Sequence, residues 1–172
     1  MSISTRLMTF AEFEQLPYPD PGKMELVNGE VVIVMPPPEL AHQKVARATF
    51  LILAARFQDR TWFDHTGYRM GPGNWLEPDV SVSWPDQQQD EKYFLGAPMI
   101  AVEILSLGEE TEEKVALYFA HGAREVWVIN PRKKTMSAYV SRGESVVFQQ
   151  VTDEFRSEAA DGLVIRLSDV FR

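Results

Sequence analysis

Pro98-Met99-Ile100-Ala101-Val102-Glu103-Ile104-Leu105-Ser106 is a short, bounded, nearly all-apolar run that includes β-branched residues. Such a run reads as a strand buried on both faces of a sheet. Glu103 breaks it. An ionised carboxylate left alone in such a place is costly, so Glu103 has to be neutral, ion-paired or bound to a metal.

Downstream, Gly108 and the acidic start of 109–121 introduce a helix that Gly122 stops, as the helix dipole and Cβ sterics favour. Arg124-Glu125-Val126-Trp127-Val128-Ile129-Asn130 follows as a strand closed by Pro131. Strand, helix and strand make a β-α-β unit, so the two strands are expected to pair in parallel with a right-handed crossover. Beyond it, 136–140 and 145–151 form a hairpin around Arg142-Gly143-Glu144, and a short strand at 163–167 leads to a helical turn at 168–172.

Upstream, Glu77-Pro78-Asp79-Val80-Ser81-Val82-Ser83-Trp84 alternates, with Val80, Val82 and Trp84 on one face and Asp79, Ser81 and Ser83 on the other. The polar patch 85–92 reads as a surface loop. Residues 60–70 read as one strand, ending in the loop Gly71-Pro72-Gly73-Asn74. Residues 39–57 have helical spacing, with Leu40, Val45, Ala48, Phe50, Leu51, Ile52, Leu53 and Ala55 forming a broad apolar surface. Before Pro36-Pro37-Pro38, strands at 24–27 and 30–35 flank Asn28-Gly29, a strong hairpin signal because both turn positions need positive φ. Glu25 and Val27 then share a face. Residues 9–16 read as a short helix whose Thr9 and Glu12 make a capping box, followed by the loop 17–22.

The 172 residues contain 45% hydrophobic and 24% charged residues, the balance of a soluble globular chain read as a single domain over 1–172 without internal repeats. No run is long enough to span a bilayer, and Met1 to Phe10 lacks a signal-peptide layout, so a cytoplasmic location is expected. With no cysteine, disulfides and thiolate metal sites are excluded. The net charge of −8 argues against broad non-specific nucleic-acid binding. It leaves a nuclease open, because a bound ion offsets a carboxylate cluster locally.

Three acids sit oddly for a chain that only needs to fold: Asp79 after a proline, Glu103 in an apolar strand and Glu25 on an apolar hairpin. Carboxylates on neighbouring strands are a usual way to hold Mg²⁺ or Mn²⁺. On the helix after Glu103, Lys114, Tyr118 and His121 are spaced i, i+4 and i+7 and share a face. Each residue also has a plainer reading. Glu103 pairs with Lys114 or an arginine, Asp79 caps a turn after Pro78, and Glu25 faces solvent. Lys114 makes surface pairs among Glu109, Glu110, Glu112 and Glu113, Tyr118 packs its helix, and His42 lies on the surface at a helix start. Trp84 and Trp127 read as core; His65 and His121 have no evident partner.

Taken in order, Pro78-Asp79, Val102 to Ser106, Lys114 with Tyr118, Gly122, and Glu125 to Pro131 resemble the bacterial Uma-two family of restriction-endonuclease-like proteins in the PD-(D/E)xK nuclease superfamily. Glu25-Leu26-Val27-Asn28-Gly29-Glu30 and the Pro-rich turn followed by His42 resemble its N-terminal pattern. The resemblance implies a restriction-endonuclease-like α/β fold, a mixed β-sheet core flanked by helices with an N-terminal hairpin. It implies Asp79 and Glu103 as metal-binding carboxylates, with the Ile104 carbonyl as a further ligand and Glu25 as an extra acidic residue of the site. The superfamily's usual lysine falls at Leu105 here, and Lys114 fits as its replacement. His42 and Tyr118 are the candidate substrate-binding residues.

The activity so implied is Mg²⁺- or Mn²⁺-dependent hydrolysis of DNA phosphodiester bonds, with Lys114 orienting the attacking water or stabilising developing charge. The alternative is a catalytically inactive nuclease fold used in binding or assembly, and a hydrolase of other phosphodiesters is a third reading. A homodimer would suit cutting both strands.

Overall fold

The computed structural model describes residues 6–19, 22–34, 39–63 and 66–172. In chain order the elements are helix α1 (Phe10–Phe13), strands β1 (Lys23–Val27) and β2 (Glu30–Val34), and helix α2 (Leu40–Ala54). Strands β3 (Thr61–Phe63), β4 (Tyr68–Arg69), β5 (Trp75–Leu76), β6 (Val80–Val82), β7 (Phe94–Leu95) and β8 (Ile100–Ile104) precede helix α3 (Glu112–Ala120). Then come β9 (Glu125–Asn130), β10 (Thr135–Arg142), β11 (Ser145–Val151), β12 (Glu154–Ser157), β13 (Leu163–Arg166) and helix α4 (Leu167–Val170).

The run around Glu103 becomes β8, inside a six-stranded sheet of order β11-β10-β9-β8-β6-β3. β8 and β9 pair in parallel through the α3 crossover, while the remaining pairs of this sheet are antiparallel. Every residue of β8 is buried. Its side chains alternate: Ile100, Val102 and Ile104 enter a core with Val45 and Leu53 of α2, Trp127 and Ile165. Ala101 enters a second core on the opposite face with Val115, Leu117 and Tyr118 of α3. Glu103 shares the face of Ala101, so α3 lies over it.

A five-stranded sheet, β2-β1-β5-β4-β7, packs its own small core of Met24, Leu26 and Trp75 against Phe10 and Phe13 of α1. The Thr9–Glu12 capping box forms at the head of α1. The expected hairpin forms too, with Asn28 at φ 51° and Gly29 at φ 80°. After α3, Gly122 takes φ 104°, the left-handed stop expected there.

Several boundaries differ from the sequence reading. Residues 60–70 make two strands in two sheets: β3 beside β6, and β4 beside β5 and β7. Gly67 directly precedes β4, and a Cβ there would fall 2.4 Å from the Trp75 indole, so no side chain fits. The alternating stretch 77–84 is strand only over β6. β5 ends just before it in the other sheet at Leu76, Glu77-Pro78-Asp79 crosses over, and β6 begins at Val80. The hydrophobic alternation there was visible; the change of sheet depends on pairing partners distant in sequence. Strands β5, β7 and β12 have no counterpart in the sequence reading, and the first turn expected for α3 is a non-helical connection through Glu109. His65, the Pro36-Pro37-Pro38 turn, and Asp20-Pro21 of the loop 17–22 lie outside the described residues. Among the described residues no helix is long and apolar enough to cross a membrane.

Candidate active site

Sheet register brings the acids together. The antiparallel pairs Val80↔Val102 and Ser81↔Ala101, continued by one residue, set Asp79 across from Glu103 on the same face. The Ile104 amide donates to Asp79 Oδ2 at 2.7 Å, so the residue after Glu103 anchors Asp79. Glu25 arrives from the other sheet. The Glu77 amide donates to Glu25 Oε1 at 2.9 Å, fixing it at the crossover between β5 and β6.

Lys114 is the centre of this group. It projects from the first turn of α3, and its ammonium lies 2.7 Å from Glu25 Oε2, 3.1 Å from Glu103 Oε2 and 3.2 Å from Glu109 Oε1. Four residues on, one turn along the same face, the Tyr118 hydroxyl donates to Glu103 Oε1 at 2.6 Å. Both oxygens of Glu103 are therefore held. Toward the outside, His42 Nε2 lies 3.5 Å from Asp79 Oδ1, and Lys23 Nζ lies 4.0 Å from Asp79 Oδ1 and 3.4 Å from Glu25 Oε1.

The protonation states follow from burial set against these neighbours. Burial pushes the Glu103 carboxyl up to about 7, against the pull of Lys114 and Lys23 and with the help of the Glu25 and Asp79 charges. Burial also works against Asp79, but Lys23, the His42 ring and the Ile104 amide outweigh it and bring Asp79 down to about 2. Glu25 is lowered despite its burial, by Lys23, Lys114 and the Glu77 amide. Lys114 is raised well above the ordinary range: burial opposes its charge, but three carboxylates overcome that. Tyr118 is raised by burial and by the neighbouring Glu103 charge, so it remains a hydroxyl donor. His42 is raised by Asp79 in spite of burial.

Asp79, Glu103, Lys114 and Glu25 are thus in one cluster, with Tyr118 and His42 at its inner and outer edges. Two members were missed. Lys23 stands two residues before Glu25 on β1, so strand alternation alone puts them on one face. Glu109, which the sequence pattern assigns to the acidic helix start, sits in the connection before α3, where its Oε2 accepts from the Ser106 amide at 3.0 Å and its Oε1 reaches Lys114. His121 is outside the cluster; it caps α3, its Nδ1 lying 3.0 Å from the Leu117 carbonyl.

The donor chemistry suits a hard divalent cation. Glu25, Asp79, Glu103 and Glu109 carry oxygen donors of the kind such an ion takes, and more carboxylates than Lys23 and Lys114 can pair. Among the described residues, however, no three His, Cys, Asp or Glu side chains already converge as a metal cage. Lys114 stands between the carboxylates instead.

The profile of the Uma2 family, described as "Putative restriction endonuclease", matches residues 10–168. A crystal structure of "a putative nuclease belonging to DUF820" from Anabaena variabilis ATCC 29413 is similar in fold, with a TM-score of 0.77 at 22% sequence identity. The alignment covers 95% of this chain and 97% of that one. No curated protein matches the chain.

Proposed function

The chain belongs to the Uma2 family and has a restriction-endonuclease-like fold, and from that premise we propose that it is a Mg²⁺- or Mn²⁺-dependent endonuclease acting on DNA. The observation that carries this reading is the placement of Asp79 opposite Glu103, with Asp79 anchored by the Ile104 amide. Asp79, Glu103 and the Ile104 carbonyl would hold the ion. When bound, it supplies a Lewis acid for the scissile phosphate and a water of lowered pKa.

The remaining residues act on charge and orientation. Tyr118 fixes Glu103 Oε1, and so works through Glu103 rather than on the substrate. Lys114, held protonated, contributes positive charge near the developing negative charge of the transition state. It is not a proton acceptor. Glu25 and Glu109 position its ammonium. His42 braces Asp79 from the outer edge.

The direct test is incubation of supercoiled, linear and single-stranded DNA with purified protein and Mn²⁺. Cleavage is expected, with chelator abolishing it. Asp79→Asn and Glu103→Gln are each expected to lose more than the roughly 10–100-fold typical of removing an outer-shell partner. A wild-type preparation that cuts no form of DNA would overturn the reading.

A second reading has its own support: Leu105 stands where the superfamily's lysine would, and Lys114 already occupies the carboxylate cluster. On that reading the fold serves binding or assembly without catalysis. Calorimetry separates the two, since the nuclease reading requires saturable Mn²⁺ binding that Asp79→Asn weakens.

A further inference from the structure

The two lysines of the site are unequally committed. An ammonium has three donors. Lys114 directs all of its contacts to three carboxylates at 2.7–3.2 Å, and its side chain is only 5% exposed. It donates hydrogen bonds to Glu103 and Glu109 and pairs by charge with Glu25, so carboxylates enclose the ammonium. Among the described residues Lys23 has no carboxylate contact that short; its distances are 3.4 and 4.0 Å, and its side chain is 20% exposed.

The same division runs through the acids. Glu25 and Glu103 are sealed, whereas Asp79 is 18% exposed and His42, on its other side, 13% exposed. Asp79 Oδ2 is taken by the Ile104 amide, and Oδ1 looks onto Lys23 and His42. The side of the cluster open to an incoming anion is therefore the edge formed by Lys23, Asp79 and His42.

We propose that Lys23 is the phosphate-contacting residue of this site, donating to a non-bridging oxygen of the DNA phosphate that docks against Asp79, while Lys114 stays behind as the counter-ion of the buried carboxylates. This rests on the nuclease reading. The competing role for Lys23 is that of a second structural counter-ion, serving Glu25 and Asp79 alone.

Binding of a fluorescein-labelled DNA duplex to the full chain, followed by anisotropy over a range of salt with Ca²⁺ in place of Mn²⁺, separates these roles. Each lost phosphate contact reduces the slope of log K against log salt by about 0.9. Lys23→Met is expected to lose about that much slope, Lys23→Arg to retain it, and Mn²⁺ affinity by calorimetry to be undiminished in both. If Lys23→Met does not fold, Lys23→Gln is measured instead, with the same loss expected. An unchanged slope in the neutral variant overturns the assignment, as does a slope loss that Lys23→Arg fails to rescue. If wild-type protein shows no salt-dependent DNA binding, the nuclease reading itself falls, a result distinct from an unchanged slope in the variant.

Discussion

At the scale of single residues, Glu103 decides how the site responds to pH. Its folded-state pKa of about 7 stands above the ordinary 4.5. The folded protein therefore holds a proton there more tightly than the unfolded chain does. The associated stability is complete below pH 4.5 and is lost as pH rises toward 7. Asp79 has the opposite sign: its pKa falls from 3.8 to about 2, so its contribution is present above 3.8 and is lost on acidification through 2. In metal-free buffer, urea midpoints measured against pH are expected to fall between 4.5 and 7 for the wild type. Glu103→Gln, which has no such proton to lose, should flatten that interval. An unaltered fall in the variant would place the titrating group elsewhere, His42 being the next to examine.

At the scale of elements, the β8-α3-β9 unit was legible because its signals are local: an apolar run, an acidic helix start, a glycine stop and a second apolar run. Glu103 was legible for the same reason, as a charge out of place. What pairing in space decides was not legible. Nothing local says that residues 60–70 serve two sheets, or that Glu109 joins Lys114's carboxylates; alternation puts Lys23 beside Glu25 but does not say which groups gather there. Glu125 shows the limit well. It is fully buried on β9, yet on the face of Trp127, opposite to that of Glu103. It accepts from Trp127 Nε1 at 2.9 Å, Ser157 Oγ at 2.7 Å and the Ala159 amide at 2.9 Å. A carboxylate, acceptor-only, suits three converging donors and ties the β12–β13 hairpin to the large sheet. Glu125→Ala strands those donors in the interior, at about 1–3 kcal/mol for each left unsatisfied. Chemical denaturation should show that loss while Mn²⁺ affinity stays unchanged. A weakened Mn²⁺ affinity with full stability would mean that Glu125 communicates with the site.

At the scale of the whole molecule, the Lys114 arrangement bears on what holds the fold together. In many metal-dependent sites the ion is the only charge able to offset a buried carboxylate cluster, and its removal loosens the protein. Here the offset is covalently built in, since an ammonium on α3 joins Glu25 from the five-stranded sheet to Glu103 from the six-stranded sheet. The protein stripped of metal by a chelator is therefore expected to stay folded and to melt in one cooperative transition. Added Mn²⁺ should raise stability only by mass action, about 2.7 kcal/mol at a hundredfold excess over its dissociation constant. Lys114→Met removes the shared partner of buried charges, a change that typically costs about 3–5 kcal/mol. Because the unpaired carboxylates then favour any cation, Mn²⁺ should stabilise this variant more than it stabilises the wild type. Thermal melts of both proteins with and without Mn²⁺ supply the four values needed. Equal Mn²⁺ increments in the two would show that Lys114 and the ion do not compete for the same carboxylates, and would separate the counter-ion role of Lys114 from metal binding altogether.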